Sequence, residues 1–187
     1  MQLETRKKKL HRYRTILVAV MLSALAFPSG SSALDLGLTP NHVYSLWTNI
    51  NASLNACARV VHGDPTDLES FAAMEPKTFS GKKPADVLNL LVTYRAKLDR
   101  LLRAQHLPDT TQAPPGGDAI TPSHVYLNSG HVLNAQLRWL TVRTGPAQII
   151  SQFYTQQEFS GKTPSDVFAM VDLAIRRMDR LLQAAGI

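Results

Sequence analysis

Histidines at matching positions of the chain are the first candidates for chemistry. His42 and His124 each lie three residues after a threonine that precedes a proline, and His131 follows His124 by two helical turns. Imidazole is a common metal ligand, and helical bundles build metal sites from facing helices. The chain has no His-x-x-x-His or Glu-x-x-His pair, however, and the absence of Cys-x-x-Cys-His excludes covalent haem attachment. A metal site at His42 and His124 is therefore the alternative to a structural role at two helix starts.

A difference between two related segments gives a second candidate site. Leu46-Trp47 in one segment corresponds to Asn128-Ser129 in the other, so a hydroxymethyl group replaces an indole. We expect Trp47 to lean across and fill the space beside Ser129, because protein interiors are densely packed. The alternative is an open ligand pocket. Its lining would consist of the candidate binding residues Trp47, Tyr126, Gly130 and His131.

No catalytic motif accompanies these residues. The sequence contains no nucleophile elbow, no catalytic triad in a known order and no metalloprotease motif. Its Phe-Ser-Gly-Lys segments lack the repeated glycines of a phosphate-binding loop. Asp86 and Asp166 lie at the third position of predicted helices, where a carboxylate stabilises the helix dipole. We therefore expect no enzyme activity and no cofactor.

The candidate residues belong to an internal repeat. The segment FSGKKPADV at residues 79–87 returns as FSGKTPSDV at residues 159–167. Upstream, TPNHVY at residues 39–44 returns as TPSHVY at residues 121–126. Such self-similarity indicates two copies of one supersecondary unit.

Apolar spacing predicts two helices in each repeat. Apolar residues recur at intervals of three and four from Val43 to Val61, and the two later helices that follow the Phe-Ser-Gly-Lys segments have the same spacing. A proline stands at each predicted first position, where its missing N–H costs nothing. The predicted long helices cover residues 40–61, 84–105, 122–143 and 164–184, and short helices are expected within residues 67–74 and 147–157.

The third long helix departs from this pattern. The face projected from the first helix consists of Val125, Ser129, Val132, Gln136 and Trp139. A more apolar face consists of Tyr126, Leu133, Leu137 and Leu140, with Gly130 between them. We expect the second set to face the core.

The N-terminus has the features of an export signal. Six lysines and arginines precede an apolar run of 12 residues from Ile16 to Phe27, and Ser31-Ser32-Ala33 provides small residues for cleavage before Leu34. The run is short for a membrane span of about 20 residues. An uncleaved anchor is the alternative.

Removal of residues 1–33 lowers the net charge of the chain from +6 to +1. The remaining chain has 14 lysines and arginines against 13 aspartates and glutamates, a net charge of +1. This balance argues against a nucleic-acid partner, which requires a clustered basic surface. The single cysteine, Cys57, excludes an internal disulfide and is expected to be buried, with an intermolecular disulfide or a reactive thiol as the alternatives.

The sequence thus predicts an all-α protein in which two helix-loop-helix repeats pack as a pseudo-twofold four-helix bundle. The predicted organisation is a signal peptide at 1–33 and a single helical domain at 34–187, made of repeat 38–107, linker 108–119 and repeat 120–187. We expect a periplasmic or extracellular, non-catalytic binding, scaffold or sensing module. Its partner would be a protein or a small molecule, and it would touch a membrane only through an uncleaved signal. The alternative function is a metal- or cofactor-binding bundle that uses His42 and His124.

Overall fold

Every regular element in the described part of the chain is helical. The computed structural model describes residues 35–112, 119–145 and 151–187, so the expected signal peptide at 1–33 and residues 113–118 of the expected linker lie outside it. The elements are α1 (Pro40–Val61), α2 (Pro65–Ala72), α3 (Pro84–Arg103), α4 (Pro122–Thr144), a 3₁₀ helix (Ser151–Tyr154) and α5 (Pro164–Ala184). None of these helices is long and apolar enough to cross a membrane.

The predicted helices are confirmed with small changes at their ends. α1 and α5 have the predicted bounds, α3 ends two residues earlier and α4 ends one residue later. The first short helix, α2, lies two residues upstream of its predicted position. Of the second predicted short helix, at 147–157, the structure describes residues 151–157, which contain the 3₁₀ helix.

All four long helices begin at the same end of the bundle. Each has a proline at its first position and a valine three residues later, and these residues together line a shallow cavity of about 10 Å³: Pro40, Val43, Pro84, Val87, Pro122, Val125, Pro164 and Val167. Residues at equal distances from the starts also meet, because Trp47 and Ser129, each the eighth residue of its helix, are hydrogen-bonded. The four long helices therefore run parallel to one another.

Parallel helices require long connections. A helix of 20 residues is about 30 Å long, and the chain must return over this distance before the next parallel helix can begin. The connections between the long helices contain 22, 18 and 19 residues. An extended chain of this length spans the distance, at about 3.3 Å per residue. Antiparallel neighbours, in contrast, are usually joined by only about 2–8 residues.

The helices of the two repeats alternate around the bundle. α1 and α3, from the first repeat, each pack against both α4 and α5, from the second. One cluster of buried apolar residues includes side chains of all four long helices. The core is thus built between the repeats, and neither repeat encloses it alone.

The first Phe-Ser-Gly-Lys turn fastens repeat one to α5. Phe79 meets the ring of Phe168 edge-on at a centroid distance of 4.8 Å, and the ammonium of Lys82 lies 4.6 Å from the centre of the same ring. The backbone amide of Lys82 donates to Ser165 Oγ at 3.1 Å. Gly81 permits the turn, because its φ of 68° lies in the left-handed region.

The second Phe-Ser-Gly-Lys turn makes the corresponding contacts on α1. Phe159 meets Tyr44 edge-on at 4.8 Å, and Lys162 Nζ lies 4.3 Å from the centre of the Tyr44 ring. The amide of Lys162 donates to Asn41 Oδ1 at 2.9 Å. Each turn therefore docks on a helix of the other repeat.

The predicted apolar faces of α1, α3 and α5 are buried, apart from Val61 at the end of α1, which is half-buried. The prediction for α4 was wrong in part. The face projected from α1 (Val125, Ser129, Val132, Gln136 and Trp139) is fully buried, whereas Tyr126 of the more apolar set is only half-buried. The physical reason is that the two polar members of the projected face, Ser129 and Gln136, have hydrogen-bonding partners inside the core.

The first of these partners is an indole. Trp47 has no solvent exposure, and its Nε1 donates to Ser129 Oγ at 2.9 Å. The Ser129 hydroxyl in turn donates to the carbonyl of Val125 at 2.7 Å. Trp47 thus reaches the space beside Ser129, which is the compensation expected from the sequence.

Gln136 links three helices in a second buried network. The hydroxyl of Tyr94 on α3 donates to Gln136 Oε1 on α4. The Gln136 amide donates to the Ile50 carbonyl at 3.0 Å and to Ser53 Oγ, both on α1. Because a buried polar group without a partner is costly, this network favours one set of neighbours and one register.

We predict that removal of the Trp47 indole strongly destabilises the fold. Trp47→Ala should lower the free energy of unfolding by about 3–5 kcal/mol, as for other buried tryptophans. Ser129→Ala should lower it by about 1–3 kcal/mol, because the indole N–H loses its acceptor. Urea unfolding followed by circular dichroism measures both, with Ser160→Ala as an exposed control. A loss below about 1 kcal/mol for Trp47→Ala would remove Trp47 from the core.

Candidate functional site

His42 and His124 close the first turns of α1 and α4. Nδ1 of His42 accepts the backbone N–H of Thr39 at 3.1 Å, and Nδ1 of His124 accepts that of Thr121 at 3.2 Å. An imidazole that accepts at Nδ1 is neutral and carries its proton on Nε2. These contacts give both histidines a structural role in satisfying helix N-termini.

Aspartates occupy the equivalent position in the other two long helices. Asp86 Oδ2 accepts the amide of Lys83 at 2.8 Å, and Asp166 Oδ2 accepts the amide of Thr163 at 2.8 Å. The Thr163 hydroxyl also donates to Asp166, and these hydrogen bonds hold the pKa of Asp166 below its ordinary value. All four long helices thus share one start, in which a proline is followed two residues later by histidine or aspartate.

The metal alternative gains no support from a ligand cluster. Across the three described ranges, no group of three or more histidine, cysteine, aspartate or glutamate side chains is placed to hold a metal ion. His124 is almost fully buried, and its Nε2 has no hydrogen-bond partner among the described residues. His42 is half-buried beside a groove formed with residues 156–159.

The four candidate binding residues differ in exposure. Trp47 is in the core, whereas Tyr126, Gly130 and His131 lie on a half-buried part of α4. A methyl group added at Gly130 would meet no atom within 4 Å outside its own helix turn. Close packing therefore does not require the glycine.

Two reactive groups are enclosed by the core. Cys57 is a free thiol without solvent exposure, and burial raises its pKa far above the ordinary range. Burial also raises the pKa of Tyr94, whose hydroxyl is bonded to Gln136. Both groups are neutral and inaccessible, which is typical of structural side chains.

Arg177 is a buried cation on α5. Its Nη1 donates to Asn51 Oδ1 at 3.3 Å, and its Nη2 donates to the carbonyls of Ala72 and Met74 at 3.2 and 3.1 Å. Its Nε has no partner among the described residues, and burial lowers the pKa of the guanidinium. Arg177 thus joins the core to the end of α2.

Two further arginines of α5 hold the same segment. Arg176 Nη2 donates to the carbonyl of Glu75 at 2.9 Å, and Arg180 Nη1 donates to Ser70 Oγ at 2.6 Å. Cations near the C-terminus of α2 complement the dipole of that helix. Phe71 is the one buried residue of the eight in α2, and Leu68 packs against the core only in part, so this short helix is held by few apolar contacts and by arginines.

Grooves lie on both sides of α2. The α1–α2 groove has a volume of about 210 Å³ and is lined by Asn55, Ala58, Arg59, Leu68, Glu69, Phe71 and Ala72. The α2–α5 groove has a volume of about 440 Å³ and is lined by His62, Asp67, Ser70, Arg180, Gln183 and Ala184. We take α2 and these two grooves as the candidate functional site.

Three buried polar atoms at this site lack a hydrogen-bond partner in the described part of the chain: Asn55 Oδ1, His62 Nε2 and Arg177 Nε. Four further such atoms of the described residues lie outside the site, on Thr110, His124, Arg138 and Trp139. Such atoms are rare in folded proteins, and each one calls for a structural or functional reason. The site was not predicted from the sequence, although Arg177 beside the apolar face of α5 was a signal that this face has a polar neighbour.

No protein-family model matches the chain, and no curated protein and no solved structure shows significant similarity to it. The chemistry of the site is therefore inferred from its own charges, hydrogen bonds and volumes.

We predict that His42 stabilises the fold as a helix cap. His42→Ala should lower the free energy of unfolding by about 1 kcal/mol, because the Thr39 amide loses its acceptor. His42→Asp keeps an acceptor and adds a negative charge at the positive end of the helix, so it should raise stability by about 0.3–1 kcal/mol. Asp86→Ala is the matched control, since it removes the same bond from α3.

The carboxylate cap of α5 should make stability depend on pH. Hydrogen bonds from Thr163 hold the pKa of Asp166 below its ordinary value, so the folded state favours the carboxylate. This contribution is fully present above the unfolded pKa of aspartate and is lost as the pH falls through the lowered pKa of the folded state. Urea unfolding of the unchanged protein and of Asp166→Asn at a series of pH values measures it. A stability difference between the two that does not shrink on acidification would contradict the capping role.

Proposed function

We propose that the protein is an exported, non-catalytic binding, scaffold or sensing module that contacts its ligand or partner through α2 and the two flanking grooves. In this proposal the two repeats form a pseudo-twofold four-helix bundle, which provides the rigid support for α2. The ligand would bind at a surface made by connections between helices, as is common for binding residues on a rigid scaffold.

Reciprocal contacts support the pseudo-twofold arrangement. The connection of the first repeat is held by arginines of α5 and by Phe168, on the last helix. The connection of the second repeat is held by α1, where Asn49 Nδ2 donates to the Thr155 carbonyl and Ser45 Oγ accepts the amide of Gln157. Each connection thus docks on a helix of the other repeat.

The use of the reactive side chains supports a non-catalytic role. Histidine and aspartate close helix starts, while Cys57 and Tyr94 are enclosed. A catalytic nucleophile or base must instead be reachable by its substrate. These side chains are accounted for by folding, which leaves surface binding as the simplest function.

One observation carries the choice of surface: each groove beside α2 is lined by a residue with an unpaired buried polar atom, Asn55 Oδ1 in the α1–α2 groove and His62 Nε2 in the α2–α5 groove. A ligand or ordered water that reaches this region would supply the missing hydrogen bonds. The α2–α5 groove, with a volume of about 440 Å³, also falls within the range of small-molecule pockets.

Export is proposed from the N-terminal sequence. The basic segment, the apolar run and the small residues before Leu34 are those of a secretory signal. Residues 34–187 have a net charge of only +1, which fits a partner other than nucleic acid.

A thermal-shift panel with blocked grooves tests this function. The probes are the amino acids, short peptides, mono- and disaccharides, nucleotides, Zn²⁺ and Ni²⁺, each added to residues 34–187. Ala72→Trp and Ala184→Trp place a large side chain in the α1–α2 and α2–α5 grooves at exposed positions. Ala96→Trp makes the same exchange on an exposed position of α3 and is the control.

We expect at least one class of organic probe to raise the melting temperature, and a groove variant to abolish the shift while Ala96→Trp retains it. No stabilising probe, or a shift that neither groove variant reduces, would overturn the proposal. Stabilisation by metal alone, lost in His42→Asp, would replace it with the metal-binding alternative.

A further inference from the structure

Arg180 presents an unused hydrogen-bonding edge to the α2–α5 groove. Its Nη1 is fixed by Ser70, at 2.6 Å from Oγ and 3.4 Å from the carbonyl oxygen. Its Nε and Nη2 make no hydrogen bond, and no acidic side chain pairs with it, within the described ranges. The Nε–Nη2 edge of a guanidinium matches the two oxygens of a carboxylate. Since Ser70 already orients the group, little further ordering is needed on binding.

The opposite charge lies in the same groove. Asp67 has a side chain that is 66% exposed, and its Oδ2 is 3.8 Å from Nδ1 of His62, beyond hydrogen-bond distance. Its carboxylate is therefore an acceptor without a close partner in the described structure. His62 is 10% exposed and its Nε2 has no partner, so the imidazole forms a polar wall of the groove.

We infer that the α2–α5 groove binds a ligand that carries a carboxylate next to an N–H donor, as a free amino acid or the C-terminal end of a peptide does. Arg180 takes the carboxylate and Asp67 takes the N–H group. A ligand with the carboxylate alone would be repelled by Asp67, and one with the amine alone would be repelled by Arg180. This inference rests on the proposed function, because it specifies the ligand of the same surface.

Binding is tested by calorimetry with chosen pairs of compounds. The twenty L-amino acids are screened first against residues 34–187. For each one that binds, the analogue lacking the amino group and the analogue lacking the carboxylate are measured; for alanine these are propionate and ethylamine. The N-acetyl amino acid, which keeps an amide N–H beside the carboxylate, stands in for a peptide end.

Variants assign the binding to the two charges. Arg180→Gln and Asp67→Asn remove one charge each at exposed positions, and circular dichroism checks that both remain folded. Arg100→Gln is the matched control, because Arg100 is the exposed counterpart of Arg180 in the first repeat. We expect each site variant to weaken binding about tenfold or more, and the control to leave it unchanged.

The outcomes distinguish a free amino acid from a peptide end, and failure of this inference from failure of the proposed function. Tight binding of the N-acetyl form indicates a peptide end, and binding of the free form alone indicates an amino acid. Failure of all these compounds, or binding that Arg180→Gln does not weaken, overturns the inference. The proposed function survives that failure only if another probe class gives a shift that Ala184→Trp or Ala72→Trp abolishes.

Discussion

The common direction of the four long helices is the constraint on which the rest of the structure depends. Their positive ends lie side by side around the ring of prolines and valines, which is electrostatically unfavourable. Aspartates in the first turns of α3 and α5 reduce this unfavourable interaction, and arginines in the last turns of α1, α3 and α4 stabilise the negative ends. The same direction forces every connection to return over the length of the bundle. The described parts of the first and third connections dock on the outside of the long helices, and α2 with its grooves is part of the first connection.

Buried polar contacts select this arrangement over others with the same apolar pattern. Apolar faces alone would tolerate several neighbours and registers, since hydrophobic contact is not directional. The bonds from Trp47 to Ser129 and from Tyr94 to Gln136 each need one partner helix at one height. Arg177 extends the polar contacts to the end of α2. Core and candidate site are thus joined by the same kind of interaction, and at the site Asn55 Oδ1, His62 Nε2 and Arg177 Nε have no partner among the described residues.

The sequence pattern predicted the helices, but it did not predict which side chains on different helices contact each other. The apolar spacing of α1 and α5 and the proline starts gave the helix bounds, because they depend on residues close in sequence. The buried face of α4 was misjudged, since Ser129 and Gln136 are polar until Trp47 and Tyr94 are placed beside them. The long apolar connections indicated that the helices run parallel. No sequence pattern indicated the α2 grooves, because Arg180 and Asp67 are distant in sequence and are common surface residues.

The central claim is that the two repeats share one core and cannot fold apart. The most direct measurement is urea unfolding, by circular dichroism, of residues 35–112 and of residues 119–187, each alone and then mixed in equal amounts. The account predicts that neither half alone gives a cooperative transition, because α1 and α3 pack mainly on α4 and α5. Mixing should restore helix content and a cooperative transition. A monomeric half that unfolds cooperatively on its own would contradict the shared core.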